Sequence, residues 1–354
     1  MITAQGIART FPGRGSMLRR EPVRALRGID FTIPDHGAVS FIGESGCGKT
    51  TLGRILCGFE EFDGGDLIID GQSMKALRSR DRAQYFRRIQ MIHQDPYSAL
   101  NPTRTIGQIL GDPLHLRARQ TGAAAGWVRD RRAELLGLVG LDPDYVLPRY
   151  PHMLSGGMRQ RVVIARALTV DPEVLVADEA VSMIDVSLRL GILQLLQGLR
   201  AKAGVSLLFI THDVATARYL GPDGELYVIY RGMVVEHGGT DAIIRHPTHP
   251  YTQCLLSAIP VLRGIEEPGP DRLIPLAPLD ERTQPPGCLF EPRCPQAAAD
   301  CRAAVPELTQ RADASPGSAS PGSASPGSAS PGSASHEWAC LHPETRSVVA
   351  TVAS

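Results

Sequence analysis

Residues 37–51 read GAVSFIGESGCGKTT: a short apolar run, a glycine-rich turn and a Lys-Thr pair. The apolar run at 38–42 is typical of a buried parallel strand, and the residues after the turn show helical spacing. One side of that predicted helix carries Leu52, Ile55, Leu56 and Phe59. Strand, turn and helix in this order predict an α/β fold.

The glycine-rich turn fits the P-loop pattern Gly43-x-x-Gly46-x-Gly48-Lys49-Thr50. Successive backbone N–H groups and a helix N-terminus point at one anion in such a loop, and glycine lets the backbone approach it. We therefore predict a nucleoside triphosphate site, with Lys49 at the β- and γ-phosphates and the Thr50 hydroxyl on Mg²⁺. The predicted cradle comprises Gly43, Ser45, Gly46, Cys47, Gly48, Lys49, Thr50 and Thr51.

Two further apolar strands end in side chains that suit this chemistry. The segment PEVLVADEA (172–180) ends its strand at Asp178 and Glu179, and SLLFITHD (206–213) ends near His212. Asp178 is predicted to hold Mg²⁺ through water. Glu179 could orient or deprotonate the attacking water, and His212 could bind the γ-phosphate or hold that water in line.

The segment LSGGMRQR (154–161) places two glycines at the start of a second helix. Ser155 is a good N-cap, so the N–H groups of Ser155, Gly156 and Gly157 form another anion-binding helix start. Because the P-loop already surrounds the nucleotide of its own chain, we expect this helix to cap a nucleotide bound by a different copy.

The ordered set of motifs resembles the ATP-binding subunit of an ABC transporter over residues 1 to about 240. Residues 43–50 resemble the Walker A motif, and Gln94 resembles the glutamine of the Q-loop. Residues 154–160, which end at Gln160, resemble the signature motif. The motif at 178–179 resembles Walker B with its catalytic base, Asp185 the D-loop and His212 the switch histidine.

The resemblance implies further roles for these residues. Gln94 would be a catalytic residue and a Mg²⁺ ligand, and Gln160 and Asp185 would contribute to the nucleotide site between two subunits. Phe11 is a candidate for the aromatic ring that stacks on adenine. Together with ATP and Mg²⁺, these roles describe a site competent for hydrolysis.

The fold class implied is an α/β P-loop NTPase core of the RecA-like type, with an antiparallel β subdomain and an α-helical subdomain. The ATPase domain would span 1–245, its helical subdomain about 96–160, and a cysteine-bearing C-terminal extension 246–354. The extension contains PGSAS repeats at 316–335, which we predict to be disordered because they cannot build a core.

The extension opens on HPTHPYTQCLLSAIP (246–260), which resembles the peptide and nickel uptake branch of ABC importers. It carries four cysteines in the spacing C-x5-C-x6-C-x38-C. Zinc fingers favour tighter pairs, and four thiolates also suit an iron–sulfur cluster. The resemblance implies [4Fe–4S], with zinc or unligated thiols as alternatives. The four are Cys288, Cys294, Cys301 and Cys340.

The implied function is ATP hydrolysis for a binding-protein-dependent importer of peptides, with oligosaccharide or nickel as other cargoes. Its partners would be a second ATPase subunit, identical or paralogous, two transmembrane permease subunits and an extracytoplasmic solute-binding protein. We expect peripheral attachment to the cytoplasmic face of the inner membrane. The formal net charge of zero gives no attraction to nucleic acid. The alternatives are a soluble ABC ATPase in a metabolic or nucleic-acid complex and a non-catalytic scaffold.

Overall fold

The computed structural model describes residues 1–13, 22–257, 285–310 and 336–343. The predicted disorder of the repeats at 316–335 concerns residues outside these ranges. The strands within the described residues are β1 (Ile2–Phe11), β2 (Val23–Ile33), β3 (Ala38–Ile42), β4 (Gly64–Ile69), β5 (Gln72–Ser73), β6 (Ile89–Ile92), β7 (Val174–Asp178), β8 (Ser206–Thr211), β9 (Glu225–Tyr230), β10 (Met233–Gly239), β11 (Thr309–Gln310) and β12 (Glu337–Trp338).

The helices follow the same chain order. They are α1 (Lys49–Leu56), α2 (Ser79–Phe86), α3 (Pro96–Ala99), α4 (Ile106–Thr121), α5 (Trp127–Leu138), α6 (Pro143–Val146), α7 (Gly156–Ala167), α8 (Val186–Ala203), α9 (Val214–Leu220), α10 (Thr240–Arg245) and α11 (Pro250–Ser257). None of the helices in the described ranges is long and apolar enough to cross a membrane.

The strands of the described residues form two sheets. The smaller is antiparallel, in the order β2-β1-β4-β5, and the larger runs β11-β12-β10-β9-β3-β8-β7-β6. Strands β9, β3, β8, β7 and β6 are parallel to one another, whereas β10, β11 and β12 add antiparallel pairs. The parallel core, the antiparallel sheet and the helices α3 to α7 beside them confirm the predicted fold class.

The register of the parallel strands decides where the site lies. Ile42 at the end of β3 pairs with Thr211 of β8, and Asp178 of β7 pairs with Ile210. The carboxyl ends of these strands therefore meet at one edge of the sheet, where open α/β sheets place their ligands. All five residues of β3 are buried, as its apolar sequence predicts.

Helix α1 packs its apolar side into the core between the two sheets. Leu52, Ile55 and Leu56 are fully buried there, as predicted. The prediction for Phe59 was wrong, because α1 ends at Leu56 and the Phe59 side chain is exposed. Its ring stacks on His93 instead, with 6.3 Å between ring centroids.

The C-terminal extension is joined to the large sheet rather than set apart from it. Strand β12 pairs with β10, and the fully buried Glu236 of β10 forms hydrogen bonds with residues of the extension. Its carboxylate accepts hydrogen bonds from the backbone N–H groups of Thr248 (2.8 Å) and His249 (3.0 Å), and bonds His336 Nε2 at 2.7 Å. One buried charge thus ties two separate stretches of the extension to the ATPase core.

Replacing Glu236 with glutamine should loosen the extension. The amide has no negative charge, and its N–H₂ group would face the backbone N–H groups that now donate to the carboxylate. We therefore expect the free energy of unfolding to fall by about 2–3 kcal/mol. Fluorescence of Trp338, the β12 residue paired with Glu236, would report urea unfolding in a Trp127→Phe background. Asp223→Asn, which removes an exposed partner of Arg200, should cost less than about 1 kcal/mol. Equal losses for the two variants would contradict the role of Glu236.

Candidate nucleotide site and cysteine cavity

The P-loop backbone approaches neighbouring strands more closely than a side chain would permit. A Cβ on Gly43 would lie 2.2 Å from the carbonyl oxygen of Ile229, and a Cβ on Gly48 would lie 2.4 Å from that of Ala25. Both glycines also have positive φ, 152° and 106°. Steric fit therefore requires glycine at these positions. The loop is further held by Gly232, whose N–H donates to the Cys47 carbonyl at 2.9 Å.

Lys49 is buried and bonded to the loop it belongs to. Its Nζ donates to the carbonyl oxygens of Gly43 (2.7 Å) and Glu44 (2.8 Å) and lies 3.5 Å from the Cys47 sulfur. Ser45 and Gly46 are exposed at the mouth of the loop, and Thr50 and Thr51 open α1. The first N–H groups of a helix have no intrahelical partner. The loop and the helix start thus offer donors to an anion.

Asp178 lies beside Thr50, whose hydroxyl is predicted to bind Mg²⁺. Thr50 Oγ1 donates to Asp178 Oδ1 at 3.2 Å. Burial, together with the neighbouring Glu179 charge, raises the pKa of Asp178 to about 6. A divalent cation would favour its ionised form, so the hydroxyl and carboxylate have the chemistry of a Mg²⁺ site.

Glu179 is held between the two other predicted catalytic side chains. Gln94 Nε2 donates to Glu179 Oε2 at 2.7 Å, and His212 Nδ1 lies 3.2 Å from Glu179 Oε1. Glu179 itself has φ 46°, a left-handed conformation uncommon for residues other than glycine. Its N–H donates to the Ile210 carbonyl at 2.9 Å and Ser182 Oγ donates to its carbonyl at 2.8 Å, which keep it there.

The glycine pair of the second predicted anion site starts α7. Ser155 is exposed and caps the helix by accepting from Met158 N–H at 3.3 Å. Gly156 is half-buried, and Gly157 is buried with its Cα facing Leu188. Gln160 is fully buried. Its predicted contribution to the nucleotide site between two subunits stays a prediction.

The last two predicted nucleotide contacts lie at the ends of elements. Asp185 is exposed at the N-cap position of α8. Phe11 ends β1, half-buried, with the guanidinium carbon of Arg9 4.9 Å from its ring centroid. Strand β1 pairs with β2, whose Ala25 lies against Gly48 of the P-loop. The strand that bears Phe11 is thus adjacent to the one that touches the loop.

The structure brings all four cysteines of the extension to one cavity. Cys288, Cys294, Cys301 and Cys340 line it as free thiols. Burial raises the pKa of Cys294 to about 12 and that of Cys340 to about 11, and the charges of neighbouring thiols add to both shifts. Among the described residues, no three of these sulfur atoms lie within 4.8 Å of one another.

A second donor group shares one of these thiols. Asp300, Cys301 and His342 place one donor atom each within 4.8 Å of one another. Asp300 and His342 are exposed and already bonded to each other at 2.8 Å. Cys57 and Cys254 lie outside these groups and are buried in apolar clusters.

The extension also touches the P-loop, which the sequence motifs did not predict. Arg293 forms two hydrogen bonds to the carboxylate of Glu44, at 2.7 and 2.8 Å. The hydroxyl of Tyr251 accepts from Glu44 N–H at 2.8 Å. The one sequence signal for this contact is Glu44 itself, an acidic residue inside an anion-binding loop. The neighbouring sequence does not indicate that its partners lie more than 200 residues away.

Comparison with known proteins agrees with this geometry. Residues 26–182 match the sequence family described as ABC transporter, and 235–301 match the oligopeptide/dipeptide transporter C-terminal region. The dipeptide transport ATP-binding protein DppF of Haemophilus influenzae is 38% identical, over 88% of this chain and 94% of its own. DppF of Escherichia coli is 39% identical, over 87% and 90%.

The chain belongs to the ABC transporter ATPase family. Among solved structures, the dimeric ATP-binding cassette MJ0796 in a post-hydrolysis state with ADP and Pi is similar, with a TM-score of 0.59 and 27% identity. The match covers 68% of this ABC ATPase and 99% of that chain. As a member of the family the protein binds and hydrolyses ATP, which confirms the enzyme class predicted from the sequence.

Two glycines of the P-loop should differ in their tolerance of alanine. Gly48→Ala drives a Cβ into a backbone carbonyl, so we expect it to lower the free energy of unfolding by at least about 3 kcal/mol and to abolish ATP binding. At Gly46 a Cβ meets no atom within 4 Å. Gly46→Ala should then cost only the strain of its positive φ, about 1–2 kcal/mol.

Urea unfolding and ATP titration of both variants measure the difference. Equal tolerance of the two substitutions would contradict the close approach at Gly48.

Proposed function

We propose that this ABC ATPase drives an importer for peptides, and that the residues around the P-loop carry out the hydrolysis. The contact that carries the proposal is the placement of Glu179 between Gln94 and His212, next to the buried Asp178. The similarity of its C-terminal region to oligopeptide and dipeptide transporters supports peptide as the cargo class.

The roles of the residues follow from their positions. The P-loop backbone and Lys49 bind the phosphates, for which the Lys49 ammonium exchanges its present carbonyl partners. Thr50, Asp178 and Gln94 would hold Mg²⁺, which draws charge from the phosphates as the bond breaks. Glu179 faces the same sheet edge and orients or deprotonates the attacking water, while His212 steadies the γ-phosphate and Glu179.

A second ATPase subunit completes the site. Ser155, Gly156 and Gly157 form a helix start on α7, which packs with the helices α3, α4, α5 and α8. Its exposed N-cap suits a phosphate bound by an opposing subunit. Asp185 and Phe11 are proposed to contact the nucleotide at the subunit interface and at the adenine ring.

The four thiols of the extension fit a metal group. Sulfur atoms bound to a single zinc ion at 2.3 Å lie about 3.8 Å apart, and no three of the four thiols approach within 4.8 Å of one another in the described chain. Four thiolates that line one cavity suit a [4Fe–4S] cluster, which they would hold at its corners. Cys288, Cys294, Cys301 and Cys340 would be its ligands.

The proposed partners are two transmembrane permease subunits and an extracytoplasmic solute-binding protein, with the ATPase on the cytoplasmic face of the inner membrane. The dipeptide transport proteins among its relatives support this arrangement. The competing function is that of a soluble ABC ATPase in a metabolic complex. The match of the C-terminal region to peptide transporters favours the importer.

Glu179→Gln should stop turnover without removing ATP binding. The amide keeps the shape of the side chain but cannot accept a proton, so we expect ATP hydrolysis to fall by about 10²- to 10⁴-fold. The control is Glu173→Gln, because Glu173 precedes the same strand β7 at its opposite end, where it pairs with Arg88. Phosphate release and ATP binding would be measured for both. Hydrolysis at the wild-type rate in Glu179→Gln would remove Glu179 from its role.

If the four cysteines hold a [4Fe–4S] cluster, the protein purified without oxygen should contain iron rather than zinc. We expect about four iron and four sulfide per chain, lost in Cys294→Ser and retained in Cys254→Ser, whose thiol is buried in an apolar cluster. Elemental analysis and visible absorption measure the result. One zinc per chain would establish the zinc alternative, and a chain without metal would establish unligated thiols.

A further inference from the structure

Arg293 is an extension residue whose side chain contacts the ATPase core. It belongs to the 3-10 turn Glu291–Arg293, directly before Cys294, and its side chain is only 6% exposed. Both of its terminal nitrogens donate to the Glu44 carboxylate, and Nη1 also lies 3.3 Å from the Tyr230 hydroxyl. A two-point contact of this kind fixes orientation as well as charge.

Glu44 is held at three points. Its carboxylate accepts from Arg293, its N–H donates to Tyr251, and its carbonyl accepts from Lys49. Tyr251 and Tyr230 are fully buried and pack on Phe290, with ring centroids 5.5 and 5.3 Å from it. Phe290 lies three residues before Arg293, so the same stretch of extension supplies both the packing and the guanidinium.

The charge of Glu44 conflicts with the task of its loop. A carboxylate in a phosphate-binding loop repels the triphosphate. Arg293 is bonded directly to that carboxylate and cancels its charge.

We propose that Arg293 is a positioning residue for ATP binding, which neutralises Glu44 and fixes the P-loop from the C-terminal extension. The proposal rests on the nucleotide site described under the proposed function. It makes the affinity for ATP dependent on the extension being folded onto the core.

The test is titration of the full-length protein with Mg²⁺-ATP and Mg²⁺-ADP in a Glu179→Gln background, which prevents turnover. Arg293→Ala should weaken ATP binding by about tenfold or more, and ADP binding less, because ADP carries less charge. Arg293→Lys keeps the positive charge and should stay within about threefold of its parent.

The double variant Arg293→Ala/Glu44→Gln separates electrostatics from folding. Without the carboxylate there is nothing to neutralise, so we expect ATP affinity to return to within about threefold of Glu44→Gln alone. Arg302→Ala is the matched control, because Arg302 pairs with Glu291 in the same extension and is exposed. It should leave ATP affinity unchanged.

Arg293→Ala binding ATP as tightly as its parent would overturn the proposal. So would a double variant as weak as Arg293→Ala, which would show a purely structural role. Absence of Mg²⁺-ATP binding in the unaltered chain would instead refute the proposed nucleotide site.

Discussion

The close approach of the P-loop backbone to its neighbours is the constraint on which the site depends. Glycines at 43 and 48 let the loop lie against the carbonyls of Ile229 and Ala25. This contact joins the loop to both sheets at once, because Ile229 belongs to β9 and Ala25 to β2. A bulkier loop would move the helix start of α1 away from the strand ends that supply Asp178 and Glu179.

The parallel register then assembles the chemistry. Adjacent strands β7 and β8 end within reach of each other, so Glu179 and His212 meet although 33 residues separate them. Gln94, two residues before the start of α3, adds a contact from the chain that leads into the helices α3 to α6. A change at the γ-phosphate that moved Glu179 would therefore alter its hydrogen bond with Gln94. Through Gln94 it would also shift the start of the helical part of the chain.

Local sequence patterns were sufficient for most of the fold, whereas the roles of the individual site residues stay predictions. The apolar runs of β3, β7 and β8 and the cap at Ser155 form as predicted because neighbouring residues determine them. Phe59 was misjudged because periodicity does not show where a helix ends. The Arg293–Glu44 contact spans 249 residues, and no short-range pattern carries such information.

The most direct test of the importer is capture of partners by the ATP-bound state. Tagged Glu179→Gln with Mg²⁺-ATP would be purified from solubilised membranes of the source organism, and the bound proteins identified by mass spectrometry. We expect an ATPase partner, the same chain or a paralogue, together with two multi-span membrane proteins. A soluble assembly without any membrane protein would contradict the importer and favour an ABC ATPase that acts away from the membrane.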